Sequence, residues 1–223
     1  MKAGKVFHII LIVLLVVYPT GHILLNNRNI QQEAAVHIVS IASSALGTDV
    51  DAGRVQFTYP FGITIDNLTI YDLQHDTLAH AASISLRLKP GKLLKKKLSI
   101  TSVRVNSPTI RLNREAPESE PNYAFLTSLF GSGDEPMSFR ANSVLIRNGS
   151  IRYDLRSAEW TDSLFNPNHI GVNGLTANLS LKELNQDSVS VIIRKFTFSE
   201  QSGFVLSRAK GTVNIGRYGT DLS

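Results

Sequence analysis

Four side chains that could bind a metal ion or move a proton fall within one short segment of the chain. They are Asp72, His75, Asp76 and His80. Asp76 and His80 could reach one metal ion, but the segment lacks a closed set of four ligands of the kind that a structural zinc site uses. It also lies between two predicted strands, where an aspartate-containing turn with solvated histidines accounts for the same residues. We therefore predict a turn here, and no metal.

The sequence lacks the motifs of the common enzyme classes. It has no glycine-rich nucleotide loop, no G-x-S-x-G nucleophile turn and no H-E-x-x-H metal helix. Cysteine is absent from all 223 residues, which excludes disulfides and thiolate metal sites. Because no acid–base or nucleophile set is visible, we expect neither an enzyme nor a cofactor. Function has to be argued from architecture and membrane attachment.

The charge of the chain does not predict a general polyanion binder. The net charge of +5 is modest, and part of it comes from Lys2, Lys5 and the run Lys95–Lys97. The aromatic residues are scattered, whereas nucleic-acid platforms interleave them with basic ones. We predict no nucleic-acid partner. The segment Lys92–Lys97 could meet phosphate head groups or nucleic acid, but a solvated basic turn is the favoured interpretation.

The N-terminus carries an apolar run long enough to cross a bilayer. Val6–Val17 is almost uninterrupted, and apolar character returns at Ile23–Leu25, which together give about 20 residues. A cleaved secretory signal needs small residues after its core, but Tyr18-Pro19 lies there. We predict an uncleaved anchor over residues 1–28, with a cytoplasmic N-terminus and the remainder exported. A cleaved signal and a buried soluble helix stay open as alternatives. The anchor residues are Val6, Ile10, Leu14, Val17 and Leu24.

A connecting amphipathic helix is predicted over residues 29–47. Asn29 can serve as its N-cap, and Gly47 follows as a left-handed C-terminal signal. The helix either plugs the end of a sheet or packs on an ordinary core. Apolar positions near one helical face are Ile30, Ala34, Ile38, Ile41 and Ala45.

From about Asp49 onward the apolar residues recur with a period of two, as in half-buried antiparallel strands. Phase shifts near Asp66-Asn67 and Thr101-Ser102 predict bulges or bends. Ser102–Leu112 (SVRVNSPTIRL) recurs as Ser143–Tyr153 (SVLIRNGSIRY), which indicates a repeated β-unit.

Turn-forming residues divide this region into successive strands. Asn148-Gly149 predicts a two-residue hairpin, and Gln201-Ser202-Gly203 predicts a turn before the last long strand. Polar insertions at Asn113–Pro121 and Ser157–Pro167 interrupt the sheet, and a short helix is predicted at Asn122–Phe130. Consecutive hairpins would give an antiparallel meander.

Most of the predicted strands have one apolar face, and only two short helices besides the anchor are available to cover it. The sheet must therefore curl on itself, pair as a sandwich or keep an apolar groove. We predict a mainly β protein with an N-terminal transmembrane helix and an antiparallel β-sheet over residues 48–223, and the curled sheet, the sandwich and the groove stay open at this point. The candidate groove residues, which would equally form the core of a closed sandwich, are Ile84, Leu86, Leu88, Ile110, Leu112, Leu175, Leu179, Val191, Phe196 and Phe198.

Several short phrases occur in a familiar order along the chain. Leu46-Gly47-Thr48-Asp49-Val50 ends the helix, and Ile65–Asp72 and Asp76–Ala81 follow in the β-region. Asn122-Tyr123 precedes the second helix. With the basic start and the single apolar span, this order resembles the N-terminal portion of AsmA-like proteins, in particular the TamB-like branch. The resemblance covers nearly the whole chain through many short phrases, with no single diagnostic motif.

The resemblance implies a single-pass protein of the inner membrane of a Gram-negative envelope, with its N-terminus in the cytoplasm and its β-region in the periplasm. It implies a curled β-sheet groove that carries phospholipid between the inner and outer membranes. It also implies an alternative role as a scaffold or assembly factor for outer-membrane proteins, through strand pairing with an outer-membrane β-barrel protein. Members are usually much longer, so the β-region here is expected to be the first groove segment of a longer parent protein.

Overall fold

The computed structural model describes residues 27–58, 61–89, 100–126, 139–161, 165–184, 188–216 and 219–222. The predicted anchor residues and the run Lys92–Lys97 lie outside these ranges. Among the helices of the described ranges, none combines the length and the apolar composition that crossing a membrane requires.

The described residues form one α-helix and a series of ten strands. The helix, α1, spans Arg28–Leu46. The strands are β1 (Val50–Asp51), β2 (Arg54–Thr58), β3 (Gly62–Tyr71), β4 (Thr77–Leu88), β5 (Ile100–Arg114), β6 (Phe139–Leu155), β7 (His169–Leu184), β8 (Ser188–Glu200), β9 (Val205–Gly216) and β10 (Gly219–Leu222).

The ends of α1 follow from its capping residues. The side chain of Asn27 accepts a hydrogen bond from the backbone N–H of Asn29 at 3.0 Å, so the N-cap lies two residues before the predicted cap. Asn27 and Asn29 are both suitable capping residues, and the sequence alone does not rank them. At the other end Gly47 adopts φ +70° and its N–H bonds to the Ser43 carbonyl, as predicted for a left-handed C-terminus.

The helix packs on one end of the sheet through a small core. Ala35 on α1, Val55 on β2 and Ile65 on β3 form this cluster, and Val55 is 0% exposed. Ile38 packs against the cluster as predicted, but Ile41 is 69% exposed. The prediction for Ile41 was wrong, as it was for Ile30 and Ala45, because α1 packs mainly on the short strands β1 and β2, so a narrower face of the helix is covered.

All ten strands belong to one large, curled sheet. Their order is β1-β3-β4-β5-β6-β7-β8-β9-β10, and β2 also pairs with β3. Neighbours are antiparallel except β5 and β6, which are parallel. The expected meander is therefore interrupted once. The insertion after Arg114 is long enough for the chain to return to the end of the sheet where β5 began, which a parallel pair requires.

The two copies of the repeated sequence lie side by side in this parallel pair. Ser102 pairs with Ser143, and each following position of the first copy pairs with its equivalent as far as Leu112 and Tyr153. Asn148-Gly149 is not a hairpin turn, because β6 runs through it. Asn148 has φ +52°, and the equivalent Ser107 has φ +45°. The left-handed residue bends each strand without reversing it.

These left-handed residues form a line across the sheet, which we call the crease. On β3 it contains Asn67, with φ +51°, and on β5 and β6 it contains Ser107 and Asn148. The pairings on either side of each residue place Asn67 opposite Ala82, and Ala82 opposite Ser107. Both predicted phase shifts are confirmed. One is the left-handed Asn67, and the other is the register shift that leaves Thr101 as an extra residue on β5.

The crease explains how one face stays apolar along the full length of the strands. In a regular strand, every second residue lies on the same face. A left-handed residue shifts this alternation by one position, so apolar residues at odd positions before it lie on the same face as those at even positions after it. Leu68 lies beyond Asn67 and still packs against the same cluster as Ile63 and Ile65. The apolar face therefore continues across the crease.

Candidate functional site

One face of the sheet is apolar from β3 to β9. Residues directly opposite each other on neighbouring strands share a face, so the pairings can be followed across the sheet. One such row consists of Ile65, Ile84, Val105, Ile146, Ala177, Phe196 and Ala209. The next consists of Ile63, Leu86, Val103, Val144, Leu179, Ile193 and Gly211. Beyond the crease a third row contains Ile70, Ala79, Ile110, Ile151 and Val172.

The opposite face of the same strands is polar. One row on it contains Thr64, Ser85, Arg104, Leu145, Asn178 and Lys195. Another, beyond the crease, contains Thr69, His80, Thr109 and Ser150. Leu145 is the apolar exception in these two rows. The sheet is therefore amphipathic, with the difference set by the alternation of side chains along each strand.

The ten candidate groove residues all lie on the apolar face. Nine of them are half-buried. Leu175 is buried at 6% exposure, because it lies against Gly149, where a side-chain carbon would come within 3.3 Å of Leu175 Cβ. Half-burial is what neighbours on one curled sheet provide. A closed sandwich would need a second sheet over this face, and all the described strands belong to a single sheet.

One end of the apolar face is covered by α1. α1 covers it at β2 and β3, through Ala35 and Ile38. It is the one α-helix of the described residues. The predicted second helix at Asn122–Phe130 is described only to Leu126, as a single turn at residues 124–126. The face from β4 to β9 therefore lacks a helical cover in the described part of the chain.

An aromatic cluster marks the β8–β9 end of the apolar face. The ring centroids of Phe196 and Phe198 are 5.6 Å apart, and Phe198 and Phe204 are 6.0 Å apart. Phe204 precedes β9 and is 57% exposed. Phe204 was not among the candidate residues, because its contact with Phe198 forms only when the turn brings the two strands together. The exposed ring beside the turn extends the apolar face toward solvent.

A buried carboxylate terminates the third apolar row. Glu200 pairs with Val172 across β7 and β8 and is buried. Its carboxylate accepts hydrogen bonds from the Ser202 hydroxyl, from the Ser202 N–H at 2.7 Å and from the Gly171 N–H at 3.3 Å. The Ser202 hydroxyl, with smaller contributions from the backbone N–H groups, lowers the pKa of Glu200 against the opposing effect of desolvation. A charged, tightly bonded turn thus borders the apolar face.

The predicted turn covers Asp72–Asp76, and His80 lies on β4 instead. Asp72 is 2% exposed, and its Oδ1 accepts from the backbone N–H groups of Gln74 at 3.0 Å and Asp76 at 2.9 Å. His80 bonds Thr69 instead, through Nδ1 at 3.0 Å. The side chains therefore have separate structural partners. In the ranges that the structure describes, no three His, Asp or Glu side chains are grouped to hold a metal ion.

The second insertion covers part of the polar face. Trp160 stacks on His169 with ring centroids 4.4 Å apart. His169 is buried and bonds the Asp154 carboxylate at 3.2 Å and the Ala158 carbonyl at 3.0 Å. These contacts hold the loop against the face opposite the groove candidates. The single Trp of the chain is therefore a structural anchor for this loop.

No family model and no curated protein matches this chain. The chemistry that the site offers therefore follows from the side chains on its surface. It presents apolar side chains in uninterrupted rows, and it offers no group of nucleophilic or acid–base side chains on that face among the described residues. Such a surface can bind hydrocarbon and exclude water from it.

Proposed function

We propose that this protein is a membrane-anchored periplasmic lipid-transfer protein of the AsmA-like family, TamB-like branch. It moves phospholipid between the inner and outer membranes along the apolar face of its sheet. The observation that carries the proposal is the run of apolar residues paired directly from β3 to β9. The predicted anchor over residues 1–28 holds the chain in the inner membrane, and α1 connects it to the sheet.

The physical basis of transfer is the cost of exposing acyl chains to water. Each methylene group that leaves an apolar environment costs about 0.8 kcal/mol, so a free phospholipid rarely crosses an aqueous space. A curled sheet with one apolar face lowers this cost along its whole length. Acyl chains lie against residues such as Leu86 and Leu179, while head groups stay at the open seam. No covalent step is required.

The ligand also accounts for the exposure of the apolar face. Large apolar surfaces without a partner favour aggregation, and soluble proteins rarely expose them. The half-burial of Ile84, Ile110 and Val191 leaves area that an acyl chain can cover. The placement of all the described strands in one sheet favours this groove over a closed sandwich.

Site-specific photo-crosslinking tests the proposal. A photoreactive residue is introduced at Leu86, Leu112 or Leu179 on the apolar face. Each has a control on the polar face, on the side of the crease away from Leu86 and Leu179. The controls are His80, Arg111 and Ser150. Phospholipid adducts are expected at the three apolar positions and not at the controls. Adducts of equal yield on both faces, or none on either, would contradict the proposal.

A second candidate function is a scaffold for outer-membrane proteins, which the sheet edge favours. β10 pairs with β9 on one side and has no described strand on its other side. An exposed edge of this kind can accept a strand from a partner. Crosslinkers at Thr220 and Asp221 distinguish this role. They would capture a β-barrel protein rather than lipid, while the apolar face would remain free of lipid adducts.

A further inference from the structure

The polar face of the sheet carries an uneven distribution of charge on the two sides of the crease. On the side that includes β3 from Gly62 to Asp66, exposed cations recur on strand after strand. We call six of them the basic patch. They are Arg87, Arg104, Arg147, Lys182, Lys195 and Lys210, and all six are exposed. The turns on the other side of the crease carry Asp76, Glu115, Glu118, Glu120 and Glu159 instead.

The cations of the basic patch have no carboxylate partners in the described part of the chain. The ion pairs found there include Arg54 with Asp66, and Arg156 with Glu115. None of them involves a residue of the patch. Asp66, a carboxylate on this face, already accepts from both Arg54 and Gln56. The six exposed cations can therefore meet an external anion.

The geometry of the patch fits a broad anionic surface. Arg104 on β5 and Lys195 on β8 belong to one row of paired residues, three strands apart, which corresponds to about 14 Å. The residues between them in that row are Leu145 and Asn178. No aromatic side chain of the described residues interrupts this row, so the patch lacks the stacking platform of a nucleic-acid binder.

The N-terminal end of α1 lies close to the crease, on the side of the basic patch. Arg28, Gln31 and Gln32 surround a small cavity of about 130 Å³ together with Gly53 and Arg54. Arg54 pairs with Asp66, next to the crease residue Asn67 and on the side of the patch. The predicted anchor, which leads into Arg28, therefore joins the sheet close to the basic half.

We propose that the basic patch docks on the surface of an anionic phospholipid bilayer. The inference rests on the proposed membrane attachment. The polar face lies against the head groups, and the apolar face is turned away from them. Arg and Lys side chains close to an anionic leaflet each strengthen membrane association about fivefold, and the effect falls off within a Debye length.

Fluorescence quenching by head-group spin-labelled lipid tests the docking in the full chain. Because the protein has no cysteine, a single fluorophore can be attached at Ser143→Cys. Ser143 lies in the same row of paired residues as Arg87. The control label is Ser150→Cys, on the same face but across the crease. The protein is reconstituted into vesicles of phosphatidylcholine alone or mixed with phosphatidylglycerol. Several-fold stronger quenching is expected at position 143 than at 150, in the anionic vesicles only.

Charge variants separate docking from a general effect of the anchor. Replacing Arg87, Arg104, Arg147 and Lys195 by Gln lowers the docking equilibrium by several hundredfold, at about fivefold for each cation, and abolishes the quenching at 143. Replacing Arg111 and Arg152 by Gln, on the same face across the crease, leaves it unchanged. Raising the salt from about 0.1 M to about 1 M shortens the Debye length to about 3 Å and also abolishes it.

Three results would overturn the docking proposal. One is equal quenching at 143 and 150, and another is quenching that is the same in neutral vesicles. In the third, a single-stranded oligonucleotide abolishes the quenching at 143 in anionic vesicles although its total concentration of negative charge is below that of the lipid. This result would assign the patch to nucleic acid. Lipid adducts on the apolar face are measured separately, so failure of docking and failure of lipid transfer give different results.

Discussion

Leu112 and Tyr153 occupy equivalent positions in two copies of a repeated sequence, and they are direct partners on the parallel strands β5 and β6. The two copies extend the sheet sideways, strand beside strand. Because equivalent residues meet, the apolar residues of the first copy on this face, such as Val105 and Ile110, lie next to apolar residues of the second copy. Repetition of this unit therefore widens the same apolar face, which is the property that a lipid groove requires.

A charge on the apolar face is expected to block lipid binding without unfolding the protein. Leu86 is half-buried on an open face, so the carboxylate of Leu86→Asp can reach solvent and destabilise the fold by only about 1 kcal/mol. It removes the apolar contact that an acyl chain needs. Lipid adducts at Leu179, on the same row, should decrease strongly. Ser85→Asp on the polar face is the control and should leave the adducts unchanged.

The outcome of Leu86→Asp also discriminates between groove and sandwich. In a closed core the carboxylate would be buried without a partner, which costs far more than a surface change. Loss of the cooperative thermal transition in Leu86→Asp would therefore contradict the open groove.

The compact core under α1 should respond quite differently to truncation. Val55 is fully buried against Ala35 and Ile65, so Val55→Ala removes two methyl groups and leaves a cavity. We expect a loss of about 2 kcal/mol in the free energy of unfolding, measured by urea denaturation. Ile41→Ala on the exposed side of α1 is the control, with an effect within about 0.5 kcal/mol. Equal effects of the two would mean that α1 packs through another face.

The crease should tolerate glycine and reject β-branched residues. Asn148 has φ +52°, a conformation that costs most residues about 1 to 2 kcal/mol and that glycine adopts freely. Asn148→Gly should therefore retain full stability, whereas Asn148→Val should lose about 1 to 2 kcal/mol. Ser150→Val, two residues along the same strand, controls for the change of side chain. A stable Asn148→Val variant would show that the crease is not required.

The stability of the β8–β9 turn should depend on pH through Glu200. Its pKa is lowered in the folded protein by the Ser202 hydroxyl and backbone N–H groups. A depressed folded pKa means that the ionised carboxylate stabilises the fold above the unfolded pKa, near 4.3, and that this contribution is lost as the pH falls through the folded pKa. Glu200→Gln should therefore show a smaller loss of urea stability between neutral and acidic pH than the wild type.

The matched control for Glu200 is Glu159→Gln, because Glu159 is exposed. This variant should keep the pH dependence of the wild type. If Glu200→Gln and Glu159→Gln behave alike, the hydrogen bonds to Glu200 do not stabilise the fold.

The strands and their apolar face could be predicted from the sequence because alternation is a local property. Ile84, Leu86 and Leu88 face one way whatever lies beside them. Partner choice is not local, and the parallel pairing of β5 with β6 therefore could not be deduced. The repeated sequence contained the signal, because identical patterns pair in register when the strands run in the same direction.

Asn148-Gly149 shows why a turn motif can mislead. A left-handed asparagine is required both in a two-residue hairpin and in a bend within a continuous strand. The hairpin also needs a left-handed second residue, and Gly149 is not left-handed here. The equivalent Ser107-Pro108 in the first copy is a poor hairpin sequence, and comparison of the two copies could have indicated the bend. Ile41 is exposed because β1 and β2 are short. The sequence of α1 carries no information about the length of those strands.

One apolar surface extends from β3 to β9, and we propose that lipid covers it. The most direct measurement places a photoreactive residue, one at a time, along a single row of paired positions in the full-length protein in membranes. The positions are Ile84, Val105, Ile146 and Phe196. Phospholipid adducts at all four are predicted, with none at His80 and Ser150, which lie on the polar face across the crease. Crosslinks only to other residues of the same chain would show a closed core and contradict the account.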